Sequence, residues 1–291
     1  MESNMLKDYA MEYVARILDN SAIPYCLVGE SVLELYGLQH KLGLFTGFSI
    51  PAGWMEHAKH ALQPLGNLEC HGDCDARRGY KPIFKEDVPA IAPAWHFHML
   101  PPLLARGEHG YCQRQPFLWG FVVNFYHHSD VLWFFPEPPR GNPTTAPRPA
   151  LGDNVPPEGL GVLSDYYMLS DDLRLSAFRR HSPEHYPIKI PTPHRLLETT
   201  ICQMCVHRQK RDDGLAEICA AIFHRVTLPR RINPQLQVVL QWRDLSDPFR
   251  GFVENHFKDP RDPTKSDDGC TERVLAFLYT KPEAHSLLSS K

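Results

Sequence analysis

Apolar residues recur at helical spacing through Leu6, Tyr9, Tyr13, Val14, Ile17 and Leu18, and Asn20-Ser21 breaks the pattern, so a helix is predicted over this stretch. The next run, Ile23 to Val28, is apolar without a helical period and reads as a buried strand. Gly29-Glu30-Ser31 then makes a turn, with Ser31 expected to cap a short helix over Val32 to Tyr36 and Gly37 to stop it. A second extended run spans Leu42 to Ile50, closed by Pro51, and helical character returns from Trp54 to Leu65. The alternation of the two element types predicts an α/β arrangement at the start of the chain.

The pattern weakens from Glu69 to Pro93, which is polar and rich in turn formers, before Trp95 to Leu100 reads as a short strand. Phe117 to Tyr126 and Val131 to Phe135 are β-branched and aromatic, and are predicted as two strands around the loop His127-His128-Ser129-Asp130. Pro136 to Pro157 holds eight prolines and little that is apolar, as a loop or linker would. Beyond it, Ile188 to Pro193 is extended, and helices are predicted over Leu196–Val206, Gly214–His224, Gln235–Trp242 and Thr271–Tyr279. The chain therefore divides into an α/β core over 1–135, a proline-rich connection over 136–157, and a mainly helical part over 158–291 packed on the core.

Composition narrows the class. The 291 residues are 43% hydrophobic and 11% aromatic, enough to bury a core, so wholesale disorder is excluded despite 27 prolines. The formal charge of −3 gives no global basic field, so DNA is not an expected partner and any polyanion site must be local. The first twenty residues carry Lys7, Asp8, Glu12, Arg16 and Asp19 and lack the apolar stretch of a signal peptide. The longest apolar run, Phe117 to Phe125, is about half of what a bilayer requires. With eight irregularly spaced cysteines, these features predict a cytoplasmic protein with reduced thiols and no membrane partner.

The opening order (helix, "IPYCLVGES", helix, "YG", then a strand ending "FSIP") resembles the nucleotidyltransferase superfamily, in which a Gly-Ser turn after the first strand cradles phosphate. "WHFHM", "HHSDVLWFFP" and "YPIKIPTPHRLLE" are similar to blocks of fungal proteins with a degenerate version of that fold. The resemblance implies a nucleotidyltransferase-like mixed sheet with a helical C-terminal part. One thing is missing from it. Nucleotidyl transfer clamps two divalent ions with carboxylates, normally on the second strand, yet no Asp or Glu lies between Glu34 and Glu56. Ordinary metal-dependent transfer is not expected there, and no metal or other cofactor is predicted. Gly29, Glu30 and Ser31 remain as a candidate phosphate or ribose contact, or as a plain helix cap.

Charge concentrates between Arg174 and Arg231, where eleven Lys and Arg outnumber five Asp and Glu. Gathered on one face they would suit an RNA backbone; dispersed, they are solvated helix faces. Within this stretch Arg208, Lys210 and Arg211 run directly into Asp212, Asp213 and Glu217. A helix starting at Asp213 would set Glu217 one turn along, making an acidic cup for a guanidinium or an amine, or simply an acidic helix start.

Here the sequence resembles the fungal arginine-containing cyclodipeptide synthases, which use aminoacyl-tRNAs and carry an Asp-Asp-x-x-Glu motif. Asp212-Asp213-Gly214-Leu215-Ala216-Glu217 matches with one additional residue between the acids. The resemblance implies an enzyme of secondary metabolism that takes arginyl-tRNA and a second aminoacyl-tRNA as partners and closes a cyclic dipeptide. Asp212, Asp213 and Glu217 would bind the arginine side chain or accept the amine proton, and Arg208, Lys210 and Arg211 would hold the tRNA end. Two other readings stand beside it. One is a nucleotide-transferring enzyme using carboxylates such as Asp165, Asp171 or Asp172, and the other is a catalytically inactive binding protein. Cys202 and Cys205 are expected in a helix core, and Cys70, His71 and Cys74 with His96 and His98 offer zinc-type ligands.

Overall fold

The computed structural model describes residues 2–36, 46–65, 68–69, 93–99, 121–132, 134–142, 165–172, 175, 181, 184–209, 219, 223, 245–258 and 268–280. Helix α1 (Glu2–Asn20) turns Ala10, Met11, Val14, Ala15 and Leu18 inward. It ends in a double bond pattern: Ala22 N–H donates to Asp19 O at 2.9 Å and Ile23 N–H to Leu18 O at 2.9 Å. This closure needs a left-handed residue at the turn, and Ala22 supplies it with φ 53 where glycine is usual. The apolar pair Leu18 and Ile23, both buried, holds it shut.

Strand β1 (Cys26–Gly29) leads through α2 (Glu30–Leu35) to β2 (Thr46–Ile50), then α3 (Met55–Leu62) between two 3-10 turns. Strands β3 (Leu68–Glu69), β4 (Trp95–Met99) and β5 (Phe121–His127) complete a five-stranded sheet of order β1-β2-β5-β4-β3. The sheet is mixed: β2 and β5 are parallel, and every other pair is antiparallel. The protein is thus mixed α/β. Phe48, Phe97, Phe125 and Trp95 stack on one face with centroids 4.8–5.8 Å apart, in a core shared with α1 and α3. On the opposite face Cys26, Val28 and Tyr126 pack with Val131, Leu132, Phe135 and Tyr167.

A one-turn helix α4 (His128–Val131) follows β5 directly, and a two-stranded sheet is formed by β6 (Tyr167–Leu169) and β7 (Lys189–Pro191). Helices α5 (Pro193–Gln209), α6 (Phe249–Lys258) and α7 (Asp268–Tyr279) follow, with α7 packed on both α5 and α6. A single apolar cluster takes residues from Ala10 through to Leu278, on both sides of the proline-rich stretch.

Several sequence expectations are corrected. Val131 to Phe135 is not a strand: Leu132 N–H bonds back to His128 O at 2.8 Å, and Phe135 N–H to Leu132 O at 2.9 Å. Helix α5 runs longer than predicted at both ends, and β6 and α6 carry no sequence expectation at all. The start of the proline-rich stretch is tied down rather than loose. Pro136 O accepts Tyr167 OH, Pro139 O accepts Lys189 Nζ at 2.6 Å, and the Arg140 guanidinium lies 4.4 Å from the centre of the Trp54 ring. Of the helix expected over 214–224, only Cys219 and Phe223 are described, both helical and buried. The helix expected over 235–242 lies outside the described residues.

Candidate functional site

The glycine turn leaves β1 with Gly29 at φ 86, ψ −150, a region open essentially to glycine alone. Gly29 is itself the N-cap of α2, with no side-chain cap bond. Ser31 is therefore not the cap that the sequence suggests; it lies inside the first turn and is buried, while Glu30 opens the helix. A Gly29→Ala variant is expected to lose about 1–3 kcal/mol, seen as a lower urea midpoint, because the turn must reorganise to escape that backbone region. At the far end of α2, Tyr36 OH donates to Pro191 O at 2.5 Å and fastens the helix to β7.

Across from the turn, Gly29 pairs with Thr46, so β2 is the strand that flanks it. Gly47 faces Asn124 of β5 so closely that an added Cβ would lie 2.1 Å from the Asn124 carbonyl oxygen. Phe48 is wholly buried in the aromatic stack. Ser49 is also wholly buried, and its hydroxyl donates to Cys26 O at 3.2 Å. All three positions are consumed by the fold.

Ser49 Oγ also lies 3.3 Å from Nδ1 of His128, whose Nε2 is 3.4 Å from Tyr167 OH. Burial brings the His128 pKa down to about 4, against the carbonyls of Phe135 and Pro136 and the charge of Glu137, and burial pushes the Tyr167 hydroxyl up. Because Ser49 pairs with Cys26 and Thr46 with Gly29, this trio sits three residues, about 10 Å, along β2 from the glycine turn. His128 does not engage its sequence neighbours; Ser129 Oγ donates to Asp130 at 3.2 Å instead.

Three further clusters join distant segments. Asp19 accepts Tyr25 OH and Tyr186 OH, each at 2.8 Å, and pairs with Lys189 Nζ at 2.5 Å. Arg195 forks onto Asp165, reaches Glu198 Oε2 at 2.7 Å and stacks over Tyr166, while Glu198 Oε1 accepts the Ser246 N–H and hydroxyl at 2.8 and 2.7 Å. The carboxyl of Asp165 meets partial burial, which would raise it, but Arg195 and His194 hold it below its ordinary range. Finally Glu12 Oε1 lies 2.7 Å from His185 Nδ1 and 3.8 Å from His181 Nδ1.

These contacts revise the electrostatic expectation. Lys189 is 1% exposed and Arg195 is committed to two carboxylates, so neither contributes to a basic surface. Asp165, one of the alternative metal carboxylates, is likewise taken by Arg195 and His194. Asp212, Asp213, Glu217, Lys210 and Arg211 lie outside the described residues, and Arg208 is described only as part of α5. Cys202 and Cys205 are buried in α5, as expected, and form no disulfide, whereas Cys70, His71 and Cys74 lie outside the described residues. Among the described residues no three His, Cys, Asp or Glu form a metal-holding group, and no helix is long and apolar enough to cross a membrane.

The sequence reasoning missed the carboxylates of α1. Glu12 and Asp19 are seven residues apart, on one side of the helix with the buried Ala15 between them. Two acids in an otherwise apolar stripe were the available signal of buried partners. No family model, no curated protein and no solved structure matches the chain.

Proposed function

We propose that this chain is an aminoacyl-tRNA-dependent cyclodipeptide synthase on a degenerate nucleotidyltransferase-like core, joining arginine to a second amino acid. The observation that carries the reading is β2: Gly47, Phe48 and Ser49 are locked by backbone contact, aromatic packing and a buried hydrogen bond, so these three positions of the strand beside the glycine turn have no room for a metal-binding carboxylate. A scaffold so altered suits a donor that is already activated. The order α1, β1, glycine turn, α2, β2 supports the scaffold part of the reading.

The chemistry is ester aminolysis. The α-amine of one aminoacyl group, deprotonated from an ordinary pKa near ~8, attacks the ester carbonyl of the other; the C–N bond forms, the C–O bond breaks and one tRNA leaves with its hydroxyl restored. The second amine then attacks the remaining ester within the same molecule, releasing the second tRNA and closing the ring. Holding both esters together supplies most of the acceleration. In this reading Asp212, Asp213 and Glu217 bind the arginine guanidinium or take the amine proton, and Arg208, Lys210 and Arg211 hold the tRNA end.

Purified protein given arginyl-tRNA and a mixture of other aminoacyl-tRNAs is expected to yield an arginine-containing diketopiperazine by mass spectrometry. Asp213→Ala should lower its formation by about 100-fold or more while leaving the circular dichroism spectrum unchanged. Absence of any diketopiperazine from the wild-type protein, or magnesium-dependent labelling by a nucleoside triphosphate in its place, would overturn the reading.

A further inference from the structure

At the start of α5, charged side chains support one another in series from the core outwards. Innermost is Glu198, wholly buried, whose Oε1 accepts the N–H and the hydroxyl of Ser246 at 2.8 and 2.7 Å. Its Oε2 accepts Arg195 Nη1 at 2.7 Å, and the guanidinium lies 4.7 Å from the centre of the Tyr166 ring. Held on two sides, Arg195 presents Nε and Nη2 to Oδ2 of Asp165. Oδ1 of Asp165 then faces Nε2 of His194 at 3.2 Å. The two backbone segments are tied as well. Thr192, two residues before His194, gives its hydroxyl to Asp165 O at 2.7 Å and its N–H to Tyr166 O at 2.9 Å.

The inner pair, Arg195 with Glu198, joins α5 to the start of α6 by itself. Asp165 has a side chain that is 59% exposed, so its ion pair adds little to stability in water. What it does fix is the imidazole. Partial burial would raise the Asp165 carboxyl, but Arg195 and His194 hold it below its ordinary range, and it stays ionised at neutral pH. An ionised carboxylate only accepts, so the proton of a neutral His194 ring sits on Nε2 and the lone pair on Nδ1. Nδ1 makes no hydrogen bond among the described residues, and the His194 side chain is 17% exposed. A base whose ring is set by a carboxylate, itself set by a forked guanidinium, is built for proton transfer. Its place is joined to the glycine turn through α2: Pro191, three residues before His194, accepts Tyr36 OH at one end of that helix, and Gly29 caps the other.

We propose that His194 is the general base of the aminolysis, taking the amine proton at Nδ1, and that Asp165, Arg195 and Glu198 are positioning residues that hold it for that step. This rests on the function proposed above. As the neutral amine attacks, the C–N bond forms and its surplus proton passes to Nδ1, while Asp165 meets the charge of the imidazolium across the ring. The imidazolium returns the proton to the ribose oxygen as the C–O bond breaks, and the same exchange serves ring closure. Asp212, Asp213 and Glu217 are then left to hold the arginine guanidinium.

Kinetics of diketopiperazine formation by the full chain test the inference. His194→Gln is expected to lower kcat by about 100-fold or more with KM for arginyl-tRNA changed less than about threefold. Added imidazole should restore at least about tenfold of the activity lost in His194→Ala, and none of that lost in Asp213→Ala. Asp165→Asn should cost as much as His194→Gln. Arg195 can only donate, so it takes the amide oxygen, and the amide NH2 faces Nε2 and turns the tautomer round, leaving Nδ1 protonated. Product from the wild-type protein with kcat of His194→Gln within about threefold overturns the inference and leaves the proposed function standing. A loss that falls on KM, or one that imidazole does not restore, makes His194 a structural contact and overturns it too. Absence of product from the wild-type protein overturns both.

Discussion

A protein carrying Asp19→Ala is expected to lose about 3–5 kcal/mol of unfolding free energy at pH 7, read from urea transitions. The carboxylate is the centre of a buried cluster: it takes the Lys189 ammonium on one oxygen and two tyrosine hydroxyls on the other. Removing it leaves a lysine that is 1% exposed with, among the described residues, Pro139 O and the face of Tyr25 to receive its charge. Burial already lowers the Lys189 pKa while Asp19 opposes that effect, so loss of Asp19 drives the amine further towards its neutral form. Lys189→Met should cost less, because Asp19 keeps both tyrosine hydroxyls. The pair changed together, Asp19→Leu with Lys189→Met, should recover part of the loss, since two matched apolar groups carry no unpaired charge. Single variants each costing under about 1 kcal/mol would mean that water reaches the cluster and that it contributes little to joining α1 to β7.

The elements that could be read from the sequence are those whose side chains carry a local period. The stripe of α1 and the compact run of β1 are legible because burial there follows from neighbours within a few residues. Strand β6 is not legible in this way. It is three residues long and exists through its register with β7, Tyr167 opposite Pro191, some twenty residues away. Val131 to Phe135 misleads for the opposite reason: its aromatic composition suits a strand, but the backbone closes a turn onto His128 and the same side chains become a cover for the sheet. The site follows the same division. Gly29 at the end of β1 is visible in the sequence, whereas the cap role shifts from Ser31 to Gly29 because the backbone reaches the helix two residues earlier than the hydroxyl would direct. The charge count overstated the basic surface because it could not show that Lys189 and Arg195 are neutralised by Asp19 and Asp165, whose positions in sequence are remote from them. The acids at 212, 213 and 217 rest on the sequence alone.

Gly47→Ala is expected to cost more than about 3 kcal/mol, again by urea unfolding, although it adds one methyl group. Three atoms lie within 3 Å of the new Cβ, namely Asn124 O at 2.1 Å, Asn124 C at 2.8 Å and Asn124 Cβ at 2.9 Å. None belongs to the end of a flexible side chain, so no rotamer relieves the overlap and the parallel pair β2–β5 must separate. Separation there also pulls Phe48 from Phe125, whose rings are 5.8 Å apart at the middle of the sheet. Gly53→Ala is the control: nothing lies within 4 Å of its Cβ, so it should be neutral or stabilising by up to about 1 kcal/mol. A loss at Gly47 of less than about 1 kcal/mol would show that β2 and β5 can part cheaply, and with it the claim that position 47 has no room for a carboxylate would fail. Should the loss be as large as expected, Gly47→Asp cannot rebuild a metal clamp beside the glycine turn, because the strand would unpair before the carboxylate was placed.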